Sequence, residues 1–481
     1  MLIFSKGKAH SARKDPMLVA GVDSSTQATK IVLCRAEDGA VVGRGSAPHP
    51  GGTECDPGAW WTALEHAGRG LLQRAAAVGV AGQQHGMIVL DSAGKVIRPA
   101  LLWNDLRSAV AGAALIDRRG GPRWWAEHAG SVPTASFTVT KLAWLAGAEP
   151  DNAARTAMVL LPHDWLTWRL GASEPVTDRG DASGTGYFSP AEGAWLLDLA
   201  ETALGHAPLL PRVAGPGETV GQTTWGAVLS AGTGDNMAAA LGLGIAPGDV
   251  VVSIGTSGTV FTVSEVPAAD PTGAVAGFAD ATGRFLPLVC TINAALVLSA
   301  AASLTGADLD ELSALALAAD PGAAGITLLP YLDGERTPNR PGAAGVLSGL
   351  TTRNATRQNL ARAAFEAVLT SLAEAADLLT GQGAGAAARR VLLTGGGARS
   401  AAVCQIAPGL FGCDVVVPEP DEYVAIGAAR QAAWALAGTP EPPSWPARHA
   451  ATYRGKPQPA VRERYAVLRE NTVSWGERTD S

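Results

Sequence analysis

Basic residues are scarce in this chain, and lysine is the scarcest of them. Seven lysines and 30 arginines face 44 acidic residues, and the formal net charge at pH 7 is −7. No segment of the sequence forms a long run of basic side chains, so we do not expect the protein to bind nucleic acid.

Cysteine is also rare and irregularly placed. The five residues stand at positions 34, 55, 290, 404 and 413, and no Cys-x-x-Cys pair occurs. This pattern excludes a disulfide scaffold and a cysteine zinc cluster, and it favours a reducing compartment, which we expect to be the cytoplasm.

Long apolar runs are few. Residues 285–307 are free of charge, but one proline and five polar residues interrupt the apolar run, so we predict a buried core element and no membrane span. The first 16 residues lack the apolar segment of a signal peptide and carry three of the seven lysines. We therefore expect residues 1–16 to be an unstructured leader, with Met17 as the start of the folded chain.

The chain is rich in hydrophobic residues. It has 481 residues, of which 47% are hydrophobic and 17% charged, so large cores can form and intrinsic disorder is excluded. This length predicts two or three domains.

The pattern near the start predicts a β-meander. Strands over Leu18–Val22, Lys30–Cys34 and from Val41 are separated by polar turns. A helix is predicted from Pro57 to about Leu72, followed by a buried strand over 78–81.

A second strand–turn–strand unit begins near residue 250. Strands over 250–254 and 259–263 flank a Gly-rich turn, which suggests two similar domains. We predict a leader over 1–16, domains over 17–246 and 247–441, and a Pro-rich linker with a terminal helix over 442–481. Further elements predicted in the second half are helices over 308–319, 355–380, 400–410 and 461–473, and a strand over 391–394.

Three turns could hold phosphate or metal. Asp23 ends a strand beside a turn of hydroxyl residues that includes Thr26, which suits Mg²⁺ and phosphate oxygens but also suits a simple Asx-turn. The turn at 253–258 and the glycines at 395–397 could admit an anion to backbone N–H groups, or could be plain turns.

Asp235 is a candidate general base. Asp235 and Asn236 are strongly polar residues in an otherwise apolar and small-residue segment. A carboxylate in such surroundings is either a paired structural acid or a tuned base.

Two further segments end in polar groups that could bind a polyol. Gln84 and His85 follow a strand, although a lone histidine is by default bonded to backbone. Trp103 and Asp105 follow an apolar strand, although the acidic residue also suits a helix cap.

The chain resembles the FGGY family of carbohydrate kinases. The resemblance runs from Leu18 to about Ala437. It is carried by Gly345–Leu350 with Asn359–Glu366, in part by Phe137–Leu145, and by segments at 82–86, 101–105, 160–166 and 329–338.

The resemblance implies an α/β fold of two ribonuclease-H-like domains of the actin and sugar-kinase superfamily, with ATP in the cleft between them. The N-terminal domain would bind sugar and the C-terminal domain nucleotide. Ser25 stands where the family usually has Gly, and Gln84 where Met is common. The resemblance also assigns roles: Asp23 to metal, Thr26, Thr256, Gly396 and Gly397 to ATP, Asp235 to catalysis, and Gln84, His85, Trp103, Asp105 and Asn236 to the sugar.

The implied activity is transfer of a phosphoryl group from ATP to D-xylulose with Mg²⁺. Ribulose, gluconate or another polyol is the alternative substrate, and a non-catalytic actin-like sugar sensor is the alternative of a different class. We expect a ketopentose substrate and no nucleic-acid or membrane partner, and we allow for a homodimer.

Overall fold

The computed structural model describes residues 16–381 and 388–475. The chain forms two α/β domains, each built on a seven-stranded sheet. The expectation about the leader falls on residues 1–15, which lie outside the described residues. Within the described ranges, no helix is both long and apolar enough to cross a bilayer.

The first domain contains fifteen of the strands and nine of the helices in the described residues. Its strands are β1 (Leu18–Ser24), β2 (Ala28–Arg35), β3 (Val41–Pro48), β4 (Glu54–Cys55), β5 (Ala77–Gly82), β6 (Ile88–Leu90), β7 (Ala100–Leu101), β8 (Met158–Leu160), β9 (Val176–Asp178), β10 (Phe188–Ser189), β11 (Ala194–Trp195), β12 (Arg212–Ala214), β13 (Thr219–Gln222), β14 (Val228–Ser230) and β15 (Thr233–Gly234). Its helices are α1 (Pro57–Gly68), α2 (Ala109–Arg118), α3 (Pro122–Ala129), α4 (Thr138–Ala148), α5 (Pro150–Arg155), α6 (Pro162–Leu170), α7 (Arg179–Ala182), α8 (Leu197–Leu204) and α9 (Asp235–Leu243).

The second half of the chain supplies the remaining elements of the described residues. Its strands are β16 (Asp249–Ile254), β17 (Gly258–Thr262), β18 (Ala276–Ala279), β19 (Phe285–Thr291), β20 (Thr327–Leu329), β21 (Val346–Ser348), β22 (Arg390–Thr394), β23 (Asp414–Pro418) and β24 (His449–Tyr453). Its helices are α10 (Ala295–Thr305), α11 (Leu309–Leu317), α12 (Arg357–Leu379), α13 (Ala401–Phe411), α14 (Tyr423–Ala437) and α15 (Pro459–Asn471).

The two large sheets share one pattern of strand directions. The first runs β3-β2-β1-β5-β14-β13, with β15 also paired to β5, and the second runs β18-β19-β17-β16-β22-β23-β24. In each, a set of antiparallel strands is followed by two parallel strands and an antiparallel edge strand. The expected pair of related α/β domains is therefore confirmed.

Helix α14 joins the two domains. It belongs to the second half of the chain, yet its backbone packs on the first sheet. A Cβ added at Gly21 in β1 would lie 1.8 Å from the Ala425 carbonyl oxygen, and one added at Gly427 would lie 1.8 Å from the Ala238 carbonyl oxygen. Glycine at these positions permits backbone contact that any side chain would block.

Three predictions about elements need correction. The helix from Pro57 ends at Gly68, before Leu72. The apolar stretch 285–307 is a strand and a helix, β19 and α10, separated by residues 292–294. The segment 442–459 is not simply a linker, because its proline-free part forms β24, which pairs with β23 at the sheet edge, where flanking prolines are tolerated.

Candidate active site

Two cavities meet in the cleft between the domains. The first, of about 370 Å³, is lined by residues from both domains, and the second, of about 880 Å³, lies mainly against the second domain. Four residues line both cavities: Asp235, Asn236, Ser253 and Thr259. A ligand in one cavity can therefore meet a ligand in the other at Asp235.

Asp235 is the first residue of helix α9. The Asn236 backbone N–H and side-chain Nδ2 donate to its Oδ1 at 2.8 and 3.0 Å. Burial raises the pKa of the Asp235 carboxyl to about 6, although the Asn236 hydrogen bond opposes the rise. A carboxylate with a pKa just below neutrality suits proton acceptance, because it is ionised at neutral pH and still basic.

A buried glutamine from helix α14 holds the segment that leads to Asp235. Gln431 Oε1 accepts from the Gly232 backbone N–H at 2.9 Å, and its Nε2 donates to the Gly232 carbonyl at 2.9 Å. Gly232 has a φ of 79°, which suits glycine. The second half of the chain therefore fixes the backbone three residues before the candidate base.

Asp23 lies at the end of β1 and lines the second cavity. Burial, and then the nearby charge of Asp235, raise the pKa of its carboxyl to about 8. Its Oδ1 is buried and has no hydrogen-bond partner among the described residues. A buried carboxylate oxygen without a hydrogen-bond partner suits a hard cation such as Mg²⁺, which prefers oxygen ligands.

The candidate sugar residues Gln84, Asn236 and Trp103 are brought together in the first cavity. Gln84 Oε1 accepts from Asn236 Nδ2 at 3.0 Å, while its buried Nε2 has no partner among the described residues. The Trp103 indole N–H donates to Thr26 Oγ1 at 2.8 Å. A hydroxyl-bearing ligand would find a free amide donor at Gln84.

His85 lines the same cavity in a strained backbone conformation, with a φ of 68°. Its Nδ1 bonds the Gly184 carbonyl oxygen, so Nδ1 carries the proton. Burial, and then the charge of Lys141, lower the pKa of the ring to about 3. The ring is therefore neutral, and its Nε2 is an acceptor for a hydroxyl proton.

Asp105 is placed differently from the other candidates. It does not line either cavity, because its carboxylate is engaged elsewhere. Thr53 Oγ1 donates to Oδ2 at 2.7 Å, and the Arg107 backbone N–H and Nε donate to Oδ1 at 3.0 and 2.8 Å. In the structure, Asp105 therefore stabilises the turn that follows Trp103.

The candidate nucleotide turns divide between the two cavities. Thr26 and Thr256 line the first, and Gly396 lines the second. Gly397 lines neither, and a Cβ added there would lie 2.4 Å from Ile254 Cγ2. Gly397 therefore allows the turn to pack against β16, while Gly396, which has no side chain, forms an open part of the wall of the second cavity.

Several polar cavity residues were not singled out as site residues. Ser253 and Thr259 face each other across the β16–β17 pair, and Cys290 and Arg336 line the first cavity. Sequence offered a signal for Ser253, which belongs to the predicted turn at 253–258, and for Arg336, which lies in the segment 329–338 that resembles the family. The hydroxyl of Thr259, within a strand, carries no such signal.

Two charged residues in segments that carry the family resemblance, Lys141 and Glu366, have structural roles. Lys141 Nζ is fully buried and donates to the His85 carbonyl at 2.9 Å, which supports the strained turn. Glu366, in α12, accepts from Arg362 Nε at 2.6 Å and from the Gly322 N–H at 2.8 Å, in the core. Each of the two stabilises the interior of its own domain, and neither lines a cleft cavity.

Comparison with known proteins decides the family. The family model described as "FGGY family of carbohydrate kinases, N-terminal domain" matches residues 18–242, and the corresponding C-terminal domain model matches 250–436. The chain belongs to the FGGY family of carbohydrate kinases. It is an ATP-dependent carbohydrate kinase, and the expectation of such an enzyme is confirmed.

Similar proteins cover nearly the whole chain. Xylulose kinase of Streptomyces rubiginosus is 48% identical over 470 residues, 94% of each chain. Xylulose kinase of Streptomyces coelicolor is 49% identical over 447 residues, 89% of this chain and 90% of that one. The crystal structure of xylulose kinase from Bifidobacterium adolescentis has a TM-score of 0.89 and 45% identity, covering 95% of this chain and 100% of that chain.

Proposed function

We propose that this FGGY kinase transfers the γ-phosphoryl group of ATP to the 5-hydroxyl of D-xylulose. The observation that carries the proposal is the position of Asp235, half-buried where a cavity of about 370 Å³ meets a larger one. The similarity to xylulose kinases supports the choice of sugar.

In the proposed reaction the sugar lies in the first cavity and ATP in the second. Asp235 accepts the proton of the 5-hydroxyl as that oxygen forms a bond to the γ-phosphorus, and the bond to the β–γ bridging oxygen breaks to release ADP. Catalysis depends on positioning and on stabilisation of charge, since phosphoryl transfer asks little covalent chemistry of the protein.

Each group around the base has a proposed part. Gln84 Nε2 donates to a sugar hydroxyl, and neutral His85 accepts from one at Nε2. Thr26, and Thr256 with the glycines beside it, direct hydroxyl and amide groups to the phosphates, and Gly396 leaves room for the nucleoside. Asp23 would hold Mg²⁺, which would neutralise charge on the phosphates when bound.

The two domains divide the work. We propose a sugar-binding domain over 17–246 and a nucleotide-binding domain over 247–441, with closure of the cleft excluding water from the phosphoryl group. We also propose a cytoplasmic location, supported by the five cysteines, all free thiols. A homodimer stays a prediction, which sedimentation of the purified enzyme would test.

The substrate is tested by coupled ADP release across ketopentoses, aldonates and polyols. We expect D-xylulose to give the highest kcat/KM and glycerol a far lower one, because a site built to bond a hydroxyl rejects analogues that lack it, by ~10⁴-fold in strong cases. If ribulose or gluconate exceeded D-xylulose by about tenfold, the kinase chemistry would stand and the named sugar would fall.

His85→Ala should raise KM for the sugar more than KM for ATP. The ring lines the sugar cavity and offers an acceptor to a hydroxyl. Loss of one such hydrogen bond costs ~1 kcal/mol, so we expect a rise of about fivefold or more. His128→Ala, which removes an exposed imidazole stacked on Trp124, is the control and should change neither KM. Equal rises in both KM values would remove His85 from the sugar site.

A further inference from the structure

Arg336 places a positive charge on the wall of the first cavity. It lies in the loop between β20 and β21, and its side chain is half-buried beside Cys290 and His85. Among the described residues, its guanidinium forms no ion pair with any carboxylate within 4 Å, whereas other arginines that line or flank buried sites, such as Arg107, Arg390 and Arg469, do. A cation kept without a partner in a half-buried cavity suggests that an anion binds there.

The neighbouring carboxylate is not available to Arg336. Glu335 is buried, and its Oε1 accepts from the backbone N–H groups of Ile292 and Arg336, both at 2.7 Å. Its Oε2 accepts from Asn293 Nδ2 at 2.9 Å. Glu335 therefore fixes the loop through these bonds and leaves the adjacent guanidinium to the cavity.

The charge of Arg336 affects two neighbouring side chains, those of Cys290 and His85. Burial raises the pKa of the Cys290 thiol, and Arg336 opposes that rise through its charge and a hydrogen bond. Arg336 also helps, after burial and Lys141, to lower the pKa of His85. Asp235 and Thr256 line the same cavity, so the guanidinium shares the space in which sugar and phosphate would meet.

We propose that Arg336 binds the phosphoryl group during its transfer and then holds the phosphate of the sugar product. The inference rests on the proposed function. The guanidinium donates hydrogen bonds to the equatorial oxygens while the bond to the β–γ bridging oxygen breaks and the bond to the sugar oxygen forms. It exchanges no proton, because the hydroxyl proton goes to Asp235.

This role differs from binding of the neutral sugar. An arginine that contacts hydroxyl groups would contribute equally to D-xylulose and to xylulose 5-phosphate. An arginine that contacts the phosphoryl group would contribute to the phosphate and to kcat, and little to the neutral sugar.

The test compares Arg336→Met and Arg336→Lys with the wild type and with the control Arg284→Met. Arg284 forms an exposed ion pair with Glu265, so its loss should leave activity unchanged. Calorimetric titration with xylulose 5-phosphate and with D-xylulose gives the affinities, steady-state assays give kcat and KM, and thermal unfolding confirms that each variant folds.

For Arg336→Met we expect affinity for xylulose 5-phosphate to fall by at least ~10-fold and kcat by ~10²-fold, the range for loss of a group that stabilises developing charge. Affinity for D-xylulose should stay within about threefold. Arg336→Lys should recover part of both losses, because it keeps the charge and loses the planar fork.

Two results would overturn the inference. One is equal weakening of the neutral sugar and its phosphate, and the other is unchanged kcat and phosphate affinity in both variants. If Arg336→Met fails to fold, Arg336→Lys alone decides. Full activity of Arg336→Lys with unchanged affinity for both ligands would contradict the proposal. So would complete loss of activity with equal weakening of D-xylulose and xylulose 5-phosphate. If the wild type prefers another sugar, the proposed substrate fails, and the same titration with that sugar's phosphate decides for Arg336.

Discussion

Asp235→Asn is expected to lower kcat by at least ~10²-fold, the lower range for loss of a general base. The amide keeps the size of the carboxylate, and its oxygen can still accept from the Asn236 N–H. It cannot take the hydroxyl proton at neutral pH. Because the change removes an interaction made in the transition state, ATP affinity should be nearly unchanged.

The measurement is kcat by ADP release together with ATP affinity by calorimetry. Asp117→Asn, which changes an exposed aspartate on helix α2, is the matched control and should retain wild-type turnover. Near-normal turnover of Asp235→Asn would show that another group takes the proton. The roles proposed for the surrounding residues, which assume that Asp235 is the base, would then lose their support.

Asp23→Asn is expected to lower kcat by ~10²-fold and to raise the Mg²⁺ concentration needed for half-maximal rate. A metal ion that neutralises phosphate charge contributes several kcal/mol, and an amide binds it less well than a carboxylate. The buried Oδ1 without a partner is the atom that would contact the cation. A variant with normal rate and normal Mg²⁺ dependence would remove Asp23 from the metal site.

The same variant should change how the stability of the ligand-free protein depends on pH. The pKa of Asp23 rises from an ordinary 3.8 to about 8 on folding, chiefly through burial. Between these pH values the unfolded chain has released a proton that the folded chain retains, so stability falls as pH rises. We expect Tm to fall less from pH 5 to pH 8 in Asp23→Asn than in the wild type. An equal fall would contradict the burial of an unpaired carboxyl.

Local patterns explain why much of the fold was predictable. The strands at Leu18 and Val250 were found because buried runs end in polar or Gly-rich turns, and turn chemistry is local. The docking of α14 on the first sheet was not predictable, because the contact of Gly21 with Ala425 joins residues far apart in sequence. The strand β24 was hidden by the prolines around it.

The candidate site divides in the same way. Asp235 could be proposed from sequence because a carboxylate among apolar and small residues is unusual, and Asp23 because it ends a strand beside a turn of hydroxyl residues. Asp105 could not be resolved from sequence, because an acid that caps a turn and an acid that binds a sugar look alike until its partners, Thr53 and Arg107, are known. The place of Arg336 in the cavity wall was not predicted, since arginines lie mostly on the surface.

The most direct test of the proposed reaction is the position of the phosphate in the product. The wild-type enzyme, ATP and D-xylulose labelled with ¹³C at carbon 5 would be followed by ³¹P NMR. We expect a single phosphomonoester signal split by coupling to the labelled carbon. An unsplit phosphomonoester, or inorganic phosphate as the sole product, would contradict transfer to the 5-hydroxyl.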